Sequence, residues 1–453
     1  MATVEKGSGF VGYLSVDQEV KLQQLWTIIL KASDTHESLI VSSANGADSQ
    51  DPVQHQHGKH SSLSSNPSGE TRILSQEVPF GKASCLLRMD FLNTIRHDHP
   101  DAFLLRFLRA RKWDVIKAFN MMMGVIEWRT KVMNVDQLMA EGELQALQLS
   151  QSTSNGSKEK NGHDFLAQVR MGKSFIHGVD RVGRPICVVR VRLHRPGEQS
   201  EETMERYIVH FIESVRLMMV DPAEMAAVVF DMTGFSLSNM EYPPVKFIIK
   251  CLETNYPESL GVLLIHKAPW VFSGIWRLIK GWLDPVIASK IYFTNNAADL
   301  EKFISREQIV QELGGDNNWA YKYFEPTPNE NDKMKDTATR DVLLTERQRL
   351  GDSLLLATSA WIAATTSKDE AEIAACKDQR SDFIERLRSN YWQLDPYLRA
   401  RTVLDRTGAF KDLHYHPSEE SLVKIRGAQT KEMAKIVEVE HLETMMETYA
   451  VKN

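Results

Sequence analysis

Residues 255–293 read NYPESLGVLLIHKAPWVFSGIWRLIKGWLDPVIASKIYF. The turn Tyr256-Pro257-Glu258-Ser259 feeds a short apolar block, 261–265, whose length and β-branched content fit a buried strand, and Pro269 closes it. Over 271–283 the apolar residues Val271, Phe272, Ile275, Leu278, Ile279 and Trp282 recur at helical spacing, with Arg277 and Lys280 among them. Roughly thirteen residues cannot span a bilayer, which takes ~20. The segment is therefore either a packed helix or one that meets a lipid surface along one side. Leu283-Asp284-Pro285 breaks it, and Lys290 leads into another strand-like run, 291–293.

Toward the N-terminus the same alternation continues. Residues 169–179 and 186–191 read as strands joined by the turn Asp180-Arg-Val-Gly-Arg-Pro185, followed by helix 201–219, strand 226–230 and helix 242–254. A capping box, Ser305-Arg-Glu-Gln308, is expected to start a helix that Gly314-Gly315 ends. Strands alternating with helices make an α/β unit with a mostly parallel sheet, placed at 162–325.

Around that unit the periods are helical. A bundle is expected over 80–149, where Phe103, Phe107 and Ala110 share one face and Arg106, Arg109 and Arg111 point elsewhere, most of them into solvent. The Trp113-Asp114 pair breaks the period before a Met-rich helix, and residues 150–161 read as a polar linker. An N-terminal helix, 13–32, opens on the capping box Ser15-Val16-Asp17-Gln18, and the Ser-, Gly- and His-rich stretch 33–75 reads as a flexible linker. His55, His57 and His60 fall in that stretch and are expected to be solvated rather than metal-bound. Gly7-Ser-Gly-Phe-Val-Gly12 has the spacing of a dinucleotide fingerprint but no strand ahead of it, so it is not one. The helical C-terminal extension, 333–453, carries charged helical patterns at 343–361, 369–392 and 424–448 and reads as a packing or partner-binding element.

Composition narrows the function. A net charge of −6 over 453 residues argues against a general nucleic-acid partner. The four cysteines, Cys85, Cys187, Cys251 and Cys376, have no metal-ligand spacing and suit a reducing, cytoplasmic setting. No G-x-S-x-G elbow, P-loop or H-E-x-x-H is present, so neither metal nor cofactor is expected and a binding protein is favoured over an enzyme. Asp231, after strand 226–230, sits where open α/β sheets bind ligands, though an Asp ahead of Gly234 more commonly turns the chain.

Five blocks in order, 104–114 (LLRFLRARKWD), 180–186 (DRVGRPI), 231–234 (DMTG), 256–258 (YPE) and 283–291 (LDPVIASKI), resemble the CRAL-TRIO lipid-binding family, in its phosphatidylinositol-transfer branch. The resemblance covers roughly residues 80–323 and leaves out the N-terminal helix and the C-terminal third. It implies a helical bundle packed on an α/β domain that encloses acyl chains, with the headgroup of phosphatidylinositol held by Arg111, Glu258 and Lys290. Arg and Lys can neutralise the phosphodiester, and a carboxylate accepts bonds from inositol hydroxyls. It also implies that 271–283 is a mobile gate touching the membrane transiently, through Phe272, Trp276 and Trp282 at the interface and Arg277 and Lys280 toward anionic headgroups. Two departures stand out. Ile287 replaces a Thr of the family, and Ala226 and Val228 replace small hydroxyl residues found in carriers of phosphatidylcholine. Phosphatidylcholine exchange is not expected, and a second ligand, if carried, is as well an uncharged lipid such as a sterol. The expected function is phospholipid shuttling between membranes by a peripherally associating protein. The alternatives are a lipid-sensing scaffold that signals to a protein partner and an α/β enzyme using Asp231.

Overall fold

Arg190, Asp231, His266 and Thr294 are register partners across one sheet, and their row marks where four strands end. The computed structural model describes residues 8–44, 87–152, 156–220 and 223–410, without the side chains of 33–44 and 87. The strands are β1 Ser174–Val179, β2 Pro185–Arg190, β3 Ala226–Asp231, β4 Leu260–His266 and β5 Ile291–Thr294, in that spatial order. The β1–β2 pair is an antiparallel hairpin and all later pairs are parallel, as the alternating pattern requires. Asp180 shapes the hairpin turn: its Oδ1 accepts from the amides of Val182 and Arg184 and its Oδ2 from Arg184 Nε at 2.6 Å.

The helices are α1 Val16–Ala44, α2 Leu87–Ile95, α3 Pro100–Ala110, α4 Val115–Glu127, α5 Val135–Ser150, α6 Ser157–Arg170, α7 Glu201–Met218, α8 Tyr242–Lys250, α9 Phe272–Lys280, α10 Pro285–Ser289, α11 Ala297–Leu300, α12 Thr337–Ser367, α13 Glu370–Leu398 and α14 Val403–Arg406. All of them lie in one compact unit, Met1–Gly408; a second, Ala409–Asn453, falls almost wholly outside the described residues, as does the expected helix 424–448. The sheet is apolar on both sides, as a parallel sheet covered on both faces must be. Val188, Val229 and Leu264 pack on one side against Leu300, Ile309 and Leu313.

The C-terminal helices complete the core of the N-terminal bundle. Leu350, Leu354 and Trp361 of α12 and Ile384 and Leu387 of α13 pack with Leu25 and Trp26 of α1, Phe91 of α2 and Leu104 of α3. Polar bonds fix the arrangement. Asp101 accepts from Trp26 Nε1 at 2.7 Å and from Arg380 at 2.8 and 3.1 Å; burial works against its charge, but Arg380, His99 and the Trp26 bond together hold that carboxyl below its usual range. Arg347, fully buried, donates to the carbonyls of Leu92 and Arg96 at the end of α2, where the helix dipole favours a cation. Gly351 lets α12 approach α2 closely, since a Cβ there would stand 2.5 Å from Leu92 Cδ1.

Several boundaries differ from expectation, each for a physical reason. α1 continues to Ala44, into the expected linker, because neither Pro nor Gly interrupts it before Gly46. The second part of the polar stretch 150–161 and the start of the expected strand 169–179 belong to α6, whose large buried apolar residues Phe165, Leu166 and Val169 all lie in its second half; Gly162 lets it approach α5 closely, a Cβ there meeting the Ala146 carbonyl at 2.7 Å. No full helix forms at 305–314. The chain makes two short 3-10 turns, Arg306–Gln308 and Gln311–Leu313, because Ile309 and Val310 turn inward against the sheet and Val310 bridges Asn317. Arg106 is not in solvent but buried against Asp98, at 3.0 Å.

Two imidazoles tie stability to pH. Burial pushes His97 down to about 4, Asp98 opposing and Arg216 assisting; burial, assisted by Arg399 and Arg406, does the same to His210. An unfolded His titrates near ~6.5, so the unfolded chain takes up protons first as pH falls. This stabilisation is complete above about pH 6.5 and lost progressively toward about 4. Thermal melts should therefore show Tm falling across that window, with a shallower fall in a His210→Asn variant; identical slopes for variant and parent would contradict the assignment.

Candidate functional site

The side of the sheet that carries Val189, Val228, Phe230 and Leu263 is not filled by the protein's own side chains. α7 and α8 arch over it through Ile208, Ile212, Val245 and Ile248, and Phe103 and Phe107 of α3 close one side. The space on that side, open solvent at the mouth included, is about 1590 Å³, and its walls are overwhelmingly apolar.

Charged groups in the wall are compensated from behind. Glu213 of α7 bonds Arg129 at 2.6 and 3.2 Å, Arg96 at 2.7 Å and the Tyr256 hydroxyl at 2.7 Å. Burial would raise its pKa, but the guanidinium groups outweigh burial and hold the carboxyl well below its usual range. Asp98 likewise accepts from Arg106 and Arg216, both at 3.0 Å. Arg106, Arg129 and Arg216, which reach the cavity, are thus parts of closed ion pairs.

At one edge, Pro257 and Ser259 line the cavity and Glu258 stands between them with φ of 54°, a left-handed conformation unusual for a side chain of its size. Its carboxylate meets Lys290 Nζ at 3.3 Å, both side chains about one-fifth exposed. The backbone carbonyl of Lys290 accepts from Leu263, which pins the pair to β4. The structure therefore brings Glu258 and Lys290 together. Arg111, the C-cap of α3, donates to the carbonyl of Ala110 at 3.2 Å. Arg109 is the arginine of that block whose charge feels Glu258. It is largely buried rather than solvated, donates to the Gly9 carbonyl at 2.8 Å, lies 4.2 Å from the Phe10 ring and 3.6 Å from Glu224, and burial pushes it down to about 10. The available signal was its three-residue spacing from Arg106, which puts both on one side of an otherwise buried helix.

The remaining expected contacts divide into inner and outer groups. Phe272 is buried with Ile275 and Ile279 against Phe235 and Ile265. Trp276 packs edge-on to Phe293 at 5.2 Å, and Trp282 meets Tyr242 at 5.6 Å and Lys246 at 4.9 Å, both tryptophans half-buried. Arg277 and Lys280 are exposed, as is Leu278. Sequence reasoning passed over Trp270, which is 88% exposed beside them. Asp231 turns the chain: its Oδ1 accepts from the Thr233 amide at 3.0 Å and its Oδ2 pairs with Arg192. Among the described residues no group of three or more His, Cys, Asp or Glu is arranged to hold a metal ion.

The family model described as CRAL/TRIO domain matches residues 169–315, and that described as CRAL/TRIO, N-terminal domain, matches 81–124. A CRAL-TRIO domain-containing protein of Schizosaccharomyces pombe is 42% identical over 337 residues, 74% of this chain and 70% of its own. The chain belongs to the CRAL-TRIO family. Similar CRAL-TRIO relatives include phosphatidylinositol transfer protein CSR1 of Eremothecium gossypii, 40% identical over 71% of each chain. The phosphatidylinositol/phosphatidylcholine transfer protein SFH12 of Arabidopsis thaliana is 28% identical over 51% of this chain and 42% of its own.

In this CRAL-TRIO cavity the Tyr256–Glu213 bond is the link between the wall and the buried ion pairs. Tyr256→Phe should lower unfolding stability by about 1.5–3 kcal/mol, the worth of a hydrogen bond to a charged group. Urea denaturation measures it, and an unchanged midpoint would show the bond contributes nothing.

Proposed function

We propose that the protein binds phosphatidylinositol and transfers it between membranes, with acyl chains in the cavity and the inositol phosphate held by Glu258, Lys290 and Arg111. The observation that carries the reading is an apolar cavity whose wall includes both neighbours of Glu258, itself paired with Lys290. The pair is a resting arrangement that a headgroup can enter, Lys290 turning to the phosphate and Glu258 to ring hydroxyls. Ala226 and Val228 line the cavity without a hydroxyl, which argues against phosphatidylcholine as a cargo.

Burying roughly thirty methylenes at ~0.8 kcal/mol each makes a two-chain lipid on the order of 24 kcal/mol more stable in an apolar site than in water. A bilayer offers nearly the same, so exchange runs both ways only if the lipid passes directly between cavity and membrane. α9 serves as the gate in this reading. Its inner residues, Phe272, Ile275 and Ile279, seal the sheet, while Trp270, Leu278, Arg277 and Lys280 face outward, a mixed aromatic and cationic surface suited to anionic headgroups. The protein then associates with membranes peripherally and performs no catalysis.

Vesicle-to-vesicle transfer of labelled phosphatidylinositol tests the headgroup assignment. Lys290→Ala and Glu258→Lys should each reduce extraction roughly tenfold or more while leaving stability within about 1 kcal/mol, since a partly exposed pair contributes little to folding. Intact extraction by Glu258→Lys would refute the assignment. Trp270→Ala should weaken vesicle binding and slow transfer without changing how much phosphatidylinositol the protein holds at equilibrium.

A further inference from the structure

A second cleft lies outside the apolar chamber and shares no lining residue with it. It opens where the C-terminal ends of α2 and α13 meet the start of α12 and the first turn of α5, a space of about 700 Å³ with open solvent at its mouth included. Asn93, Arg96, Asp136, Arg347, Tyr391 and Arg399 are its polar lining. Tyr391 is the common neighbour of the three guanidinium groups. Its ring centre lies 5.7 Å from the guanidinium carbon of Arg347, its hydroxyl shares Asp395 Oδ1 with Arg399 Nε at 3.3 and 2.6 Å, and it feels the charge of Arg96. Arg347 Nη2 also bonds the Arg96 carbonyl at 2.8 Å, so the groups meet in one place.

The charges there do not balance. Arg399 is closed by Asp395 and Asp405. Arg347 is 1% exposed and makes three hydrogen bonds, all to backbone carbonyls, of Leu92, Arg96 and Leu387; no carboxylate among the described residues pairs with it. The helix end it meets offers only about half a charge. Burial pushes its pKa down to about 10, which leaves it protonated at neutral pH. Arg96 turns one Nη to Glu213 at 2.7 Å, behind the chamber wall, and the other to Asp136 at 3.1 Å. Because Glu213 also serves Arg129, Asp136 is what completes the neutralisation of Arg96. Yet the Asp136 side chain is 64% exposed, and an exposed partner is held weakly. With Asp136 turned to solvent, the cleft carries two uncompensated positive charges: that of Arg347, and the one left over when Arg96 and Arg129 share Glu213. Asn93, half-buried in the same wall, adds a side-chain amide that bonds nothing among the described residues.

We propose that this cleft binds a phosphate monoester, held by Arg347 and Arg96 with Asn93 beside them, Asp136 yielding its place to the ligand. The charge count selects that class. Two positive charges match a dianion, where a carboxylate or a phosphodiester supplies one negative charge, and the planar forks of N–H donors fit phosphate oxygens. Arg96 follows α2 and Arg347 lies on α12, so the bound group bridges the N-terminal bundle and the C-terminal helices. A soluble phosphorylated solute and the phosphomonoester headgroup of a membrane lipid share this chemistry.

Equilibrium dialysis of the full chain against radiolabelled inorganic phosphate measures the site. Phosphate should bind, acetate at equal concentration should not displace it, and phosphate should raise Tm above its value in acetate at matched ionic strength. Asp136→Asn removes the resident carboxylate and should tighten phosphate about two- to fivefold, the worth of an exposed pair. Leu344→Glu, at a half-buried position lining the same cleft, adds a carboxylate and should weaken phosphate about tenfold or more. Both leave the buried bonds of Arg347 in place. Absence of phosphate binding, displacement by acetate, or variants that fail to move the affinity in opposite directions would overturn the site. Phosphatidylinositol extraction reports on the chamber separately, so any of those results leaves the chamber reading standing. Phosphatidylcholine vesicles with and without phosphatidic acid tell the two sources apart. Extra capture by phosphatidic acid that Leu344→Glu abolishes supports a lipid headgroup; capture indifferent to Leu344→Glu, alongside phosphate binding in dialysis, supports a soluble solute.

Discussion

An apolar chamber inside a folded protein is a void, and voids collapse unless the walls are held by something other than the contents. Here Glu213 and Asp98 do that. Each is buried and each gathers arginines from separate parts of the chain: Arg96 beyond α2, Arg106 of α3, Arg129 beyond α4 and Arg216 of α7. Removing one partner from such a network leaves an uncompensated buried charge, at about 3–5 kcal/mol, so the geometry tolerates little drift. With Tyr256 attached to Glu213, the network also fixes the chain as it enters β4, two residues ahead of Glu258. Chamber wall, bundle and the strained turn at the mouth are in this sense one object.

The parts of the fold legible in one dimension are those where burial is uniform. β2 to β5 are short apolar runs between turn residues, and their alternation with helices was enough to specify a parallel sheet. α6 was hidden because the first half of its sequence is as polar as any linker, its helicity resting on packing of a few apolar residues and on Gly162 at the crossing. The turns at 306–313 went the other way: good local capping chemistry was overridden by the burial of Ile309 and Val310.

Site residues were legible only in part, and for a different reason. Glu258 and Lys290 lie 32 residues apart, and nothing in their spacing announces an ion pair; the family blocks implied only that both meet a headgroup. Periodicity treats an arginine as a solvent residue, so it could not reveal that Arg106 and Arg109 turn inward to Asp98 and to the Gly9 carbonyl.

The joining of the chain's two ends has a consequence for biosynthesis. Gln23 bonds Thr365 across 342 positions of sequence, and Asp101 bonds Arg380 across 279. A ribosome releases the first helices long before α12 and α13 exist, so their apolar faces wait exposed while the whole sheet is made. The face that the N-terminal bundle gives to α12 and α13 therefore stays uncovered until those helices have been made.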